Sequence, residues 1–73
     1  NVQAYVEKLF DGRSEFRSTE VDVADDEAYI MTMLAVAYAG DRESGYTIEI
    51  DESSVKKGRY EIPDIIFRKK VRL

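Results

Sequence analysis

The sequence contains no cysteine, no histidine and no tryptophan, and it has a single proline at position 63. Without cysteine there is no disulfide framework and no iron–sulfur site, and without cysteine and histidine the common zinc sites are excluded. Catalytic triads built on His or Cys are excluded for the same reason. Glycine is scarce too: Gly12, Gly40, Gly45 and Gly58 stand alone, so there is no glycine-rich phosphate loop. The longest nearly apolar run, 28–39 with only Thr32 polar, is far short of the roughly 20 residues that span a bilayer. Glu7 and Lys8 interrupt the first ten residues, which do not read as a secretory signal. Asn1, the only Asn, is followed by Val2-Gln3, so no glycosylation acceptor exists. No lipidation motif stands at either end, and a cytoplasmic setting without membrane contact is expected.

What is present fits one small folded unit. The 73 residues are 44% hydrophobic, an ordinary fraction for a folded domain, and leave room for a single core, so one domain over 1–73 is expected. The charge is uneven. Residues 1–55 carry a balance of −9 and residues 56–73 a balance of +5, giving −4 overall. Such asymmetry serves either internal pairing between neighbouring strands or an electrostatic face for a partner.

The hydrophobic pattern predicts helix, strand, helix, strand, short strand and strand. Val2, Tyr5, Val6, Leu9 and Phe10 recur at helical spacing over 1–10, and Asp11-Gly12 ends that helix. Thr19, Val21 and Val23 alternate with Ser18, Glu20 and Asp22, which predicts a strand over 15–23. Asp25, Asp26 and Glu27 cap a helix over 25–39 that stops at Gly40. Tyr46, Ile48 and Ile50 define the next strand, 51–54 and Lys57-Gly58 read as turns, and 59–62 reads as a short strand that Pro63 interrupts. In the final strand, over 65–73, Ile65, Phe67, Val71 and Leu73 share one face with Lys69, and Ile66, Arg68, Lys70 and Arg72 share the other. The expected fold class is α+β: a three- to four-stranded, mainly antiparallel sheet with two helices on one face.

The second helix asks for more cover than so short a chain supplies. A helix lying on a sheet needs an apolar stripe of about 100°, and this one is apolar nearly all round. Either the first helix and the loops wrap it, leaving Ala28, Ala35, Ala37 and Ala39 outward, or its far side meets a second copy or another protein. The expected function is therefore non-enzymatic: a protein-interaction domain that self-associates as a homodimer or sits within a larger assembly. The expected contact residues are Tyr29, Met33, Val36 and Tyr38 on the helix, with Arg68, Lys70 and Arg72 on the last strand. Met31 and Met33 could belong to an adaptable binding surface, but core filling is the better account of them.

Other chemistries have weaker signals. The segment 41–52 partly resembles the calcium loop of EF-hand proteins, with Asp41, Ile48 and Glu52 at matching positions. Tyr46 stands where that loop needs glycine, so a loop leading into a strand is the expected structure, with no metal or other cofactor. Asp22, Asp25 and Asp26 could pair as acid and base, and Ser53-Ser54 with Lys56-Lys57 contains the residue types of a Ser–Lys dyad. Capping and a polar turn account for both sets. The basic row Arg68, Lys70 and Arg72, near Lys56, Lys57, Arg59, Tyr60 and Phe67, is the alternative: nucleic-acid binding through the C-terminal strand. Glu15, Glu20, Asp22, Asp25, Asp26 and Glu27 supply the opposite idea, an acidic inhibitor that occupies the basic groove of a nucleic-acid-binding machine.

Overall fold

A computed structural model describes residues 1–21, 25–56 and 61–70. Helix α1 spans Val2–Phe10 and strand β1 spans Glu15–Arg17; a single 3-10 turn, Ser18–Glu20, follows. Helix α2 spans Asp26–Ala39, and strands β2, Tyr46–Lys56, and β3, Ile62–Lys69, follow it. The three strands form one antiparallel sheet in the order β1-β3-β2. This is the expected α+β fold, with three strands and both helices on one face.

Each helix begins on a side-chain cap, because the first turn of a helix has backbone donors with no partner in the helix. Ala4 N donates to Asn1 Oδ1 at 2.8 Å, and Ala28 N donates to Asp25 Oδ1 at 2.8 Å. At the end of α1 the chain turns through two left-handed residues, Asp11 at φ 48° and Gly12 at φ 78°. The second is a position where a side chain would be strained.

The core is an aromatic stack between the helices and the sheet. Phe16 lies parallel to its cross-strand partner Phe67 with ring centroids 4.4 Å apart. Phe10 meets Phe16 edge-on at 4.7 Å and stacks on Tyr46 at 5.2 Å. Val6, Ala35, Ala39 and Ile65 close the cluster. Offset-stacked and edge-on rings are favoured over face-to-face ones, and such pairs add roughly 0.5–1.5 kcal/mol beyond burial.

The other face of the sheet is held by charge over a thin apolar layer. The register places Ile66 between Arg17 and Glu49, and Arg68 between Glu15 and Thr47. Arg68 bridges both neighbours, with Nε to Glu15 Oε2 at 2.9 Å and Nη1 to Glu49 Oε2 at 2.7 Å. Ile62 and Ile66 are buried on this face although no helix among the described residues covers it; the apolar stems of long charged side chains can cover such positions.

Local departures from the sequence pattern have local causes. The expected strand over 15–23 stops at Arg17, because Ser18 and Glu20 offer the backbone other partners. Arg17 N donates to Glu20 Oε2 at 2.9 Å, and Ile65 N donates to the buried Ser18 Oγ at 2.8 Å. Asp22 and Val23 of that expected strand lie outside the described residues. The expected turn at 51–54 is instead part of β2. Asp51 Oδ1 accepts from Ser53 N at 3.1 Å, and the turn signal becomes a bulge where Val55 pairs with Pro63. Pro63 lacks an N–H, and a bulge is where a ladder tolerates that. Strand β3 runs through Pro63, so Ile62 joins the same strand as Ile65 and Phe67. The expected Lys57-Gly58 turn, Arg59, Tyr60 and residues 71–73 lie outside the described residues.

Candidate functional site

Helix α2 is the element with apolar surface on two sides. Its inward positions are Thr32, Ala35 and Ala39, all buried; Thr32 Oγ1 donates to Ala28 O at 2.8 Å, which satisfies the hydroxyl. Its outward positions are Glu27, Ile30, Leu34 and Ala37, spaced by three or four residues on one side of the helix. Ile30 is 55% exposed and Leu34 45% exposed, one turn apart. Among the described residues, the third large exposed aliphatic residue is Ile50 of β2, 50% exposed, on the sheet face that carries the helices.

The exposed apolar side of α2 is not made of the residues expected as contacts from the sequence. The small residues expected outward divide: Ala35 and Ala39 are fully buried, Ala28 is half-buried and Ala37 is exposed. Small side chains lie inward because α2 approaches the aromatic cluster closely, and larger ones would not fit. Of the expected contact residues, Tyr29, Met33, Val36 and Tyr38 are all half-buried. Val36 and Tyr38 pack against the core, and the Tyr38 ring lies 5.8 Å from that of Tyr46. Ile30 and Leu34 were not singled out from the sequence. A helix apolar on every side has no periodicity to say which side meets the sheet, so burial alone could identify them.

The expected basic row is not an open cationic surface over its described part. Arg68 is flanked and paired by Glu15 and Glu49, so the pairing that accounts for it is cross-strand. Those two hydrogen-bonded carboxylates raise the Arg68 guanidinium above its ordinary pKa. Lys70 donates from Nζ to Arg42 O at 2.6 Å. Arg72 lies outside the described residues. Lys69, on the helix side, reaches Glu7 at 3.6 Å, and Glu7 also accepts from the Tyr46 hydroxyl. A shallow groove here mixes both signs, lined by Glu7, Arg42, Glu43, Lys69 and Lys70 among others.

The acidic residues are also occupied structurally. Asp25 caps α2, Glu15 pairs with Arg68, and Glu20 pairs with Arg13 at 2.7 Å. The Arg17 backbone N–H, then the Arg13 side chain, hold Glu20 below the usual carboxylate range. Asp51 is lowered likewise, by its hydrogen bonds from the Ser53 hydroxyl and backbone N–H. Asp22 lies outside the described residues. The segment 41–52 is a turn followed by strand, not a wrapped loop: Asp41 Oδ1 accepts from Glu43 N at 2.9 Å, and Glu52 lies well along β2. Among the described residues, no helix is long and apolar enough to cross a membrane.

Set against known proteins, the chain matches a family model described as Wadjet protein JetA over residues 1–70. No curated protein and no solved structure matches it.

Proposed function

The chain belongs to the Wadjet protein JetA family, and we propose that it serves there as a protein-binding domain that docks through the outward side of α2. Family membership points to a component of a larger assembly, for which protein partners are expected. The observation that carries the reading is the exposure of Ile30 and Leu34, one turn apart on a helix already buried on its other side. Large aliphatic side chains aligned in this way are what a partner covers. The proposed role is binding without catalysis. The occupant is a second copy of this chain or another protein of the assembly.

The test is assembly mass. Size-exclusion chromatography with light scattering, on the chain alone and then with the other Wadjet proteins, separates the two occupants. A two-chain mass for the chain alone identifies a copy. A monomer that joins only the mixed complex identifies another component. Leu34→Glu and Ile30→Glu are each expected to lose the complex while leaving the circular dichroism spectrum unchanged. An assembly mass untouched by both substitutions contradicts the reading. The nucleic-acid alternative draws less support, because Glu15 and Glu49 already engage Arg68. Early elution from heparin in a salt gradient would agree with that ranking.

A further inference from the structure

We propose that the outer edge of β2 accepts an added strand from a protein partner whose side chains alternate apolar and basic. The inference rests on a different surface from the α2 stripe and stands independently of it.

Among the described residues, the sheet order leaves β2 with its second side open. The direction of its backbone groups follows from one bond: Lys70 N donates to Gly45 O at 3.0 Å. That marks Gly45 and Lys70 as a hydrogen-bonded pair, and such pairs alternate along an antiparallel ladder. Thr47, Glu49 and Asp51, opposite Arg68, Ile66 and Asp64, therefore turn their N–H and C=O groups toward β3. Tyr46, Ile48 and Ile50 turn theirs outward. Tyr46 N donates to Ser44 Oγ at 3.1 Å, as this geometry requires. No strand or side chain among the described residues pairs with the outward groups of Ile48 and Ile50.

Edges are ordinarily protected by lysine, proline, a bulge or very short length. The other edge, β1, has three residues and turns at once into the 3-10 helix. From Tyr46 to Asp51, β2 has neither lysine nor proline and keeps an unbroken register; its bulge comes only after Asp51. This stretch is long enough for the strand-addition mode of peptide recognition.

The two faces of the edge define the occupant. On the helix side, Ile50 is half exposed and calls for an apolar neighbour. On the other side stand Glu49 and Asp51. Arg68 engages Oε2 of Glu49, which leaves Oε1 to offer across the edge, while Asp51, which accepts from Ser53 and Ser54, adds negative charge on the same face. A copy of this chain pairing antiparallel about Glu49 or Ile50 would set acidic side chains against acidic ones, which is unfavourable, and pairing about Ile48 would leave both without a basic partner. Lysine or arginine at alternate positions of a different strand is favourable.

The probe is the peptide acetyl-Val-Arg-Val-Arg-Val-amide, titrated into the 15N-labelled chain, with amide hydrogen exchange read by residue. New protection at Ile48 and Ile50 is expected, with binding about tenfold weaker when Glu replaces Arg in the peptide. Ile50→Pro removes an outward N–H at an edge position that tolerates proline, and is expected to abolish binding. Leu34→Glu is expected to bind the peptide normally, which separates this surface from the α2 stripe. Absence of protection at Ile48 and Ile50 in the unmodified chain overturns the proposal, as does equal binding of the Glu peptide. Protection of both amides without peptide, in a two-chain species, also overturns it by making the occupant a copy.

Discussion

The two helices have similar jobs but opposite surfaces. Helix α1 buries Val6 and Phe10 and turns Gln3, Glu7 and Lys8 to water. Helix α2 buries Thr32, Ala35 and Ala39, yet turns Ile30 and Leu34 outward. An ordinary amphipathic helix is finished once it lies on its sheet. Helix α2 thus has a small-residue side for its own core and an aliphatic side that the described residues leave exposed.

The comparison breaks most violently at neighbouring positions. Ala35→Glu places a charge at a site with no exposed surface, with an expected loss of more than about 4 kcal/mol, enough to unfold so small a domain. Thermal unfolding followed by circular dichroism checks this. On the α1 side, Phe10→Ala removes a ring that touches both Phe16 and Tyr46, with an expected loss of about 3–5 kcal/mol in urea unfolding. A smaller loss is expected beyond the helices. Asp64 is buried and accepts from Arg17 Nη1 at 2.7 Å, so Asp64→Ala removes the link from β3 to the end of β1. The cost is about 1–3 kcal/mol, read by the same unfolding.

Leu34→Glu sits next to Ala35→Glu in sequence and is its counterpart. Its expected effect on folding is within about 0.5 kcal/mol, because the side chain is already 45% exposed. If Leu34→Glu unfolds the domain as Ala35→Glu does, the two sides of α2 are not distinct. The smallest effect concerns acid. The folded state holds Glu20 below its ordinary pKa of 4.5, so its contribution is present above that pH and fades as the pH falls through the lowered value. Because Glu20 is largely solvated, the effect is small, and Glu20→Gln is expected to flatten the acid limb of stability against pH only slightly.

Much of this architecture is legible in the sequence. The helix limits follow from Asn1, Asp25 and the residues after Phe10 and Ala39, and the alternation at Tyr46, Ile48 and Ile50 gives strand and face together. Less legible were the places where a short side chain competes with the ladder. Ser18 and Asp51 look like ordinary members of a strand and a turn, and the hydrogen bonds that divert them are made only in the folded chain. The binding surface was the least legible part. The uniform apolarity of α2 led to the expectation of a partner but conceals which side is exposed. Tyr29, Met33, Val36 and Tyr38 were therefore expected as contacts, while the structure leaves Ile30 and Leu34 the more exposed.

The central claim is that the Ile30 and Leu34 side of α2 is covered in the assembly. Because the chain has no cysteine, Leu34→Cys introduces a single thiol into it. Its alkylation rate by a maleimide, read by mass on the peptide containing position 34, can be compared before and after the Wadjet proteins are combined. Fast labelling of the isolated chain and strong protection in the complex is the predicted result. Equal rates in both states would contradict the account.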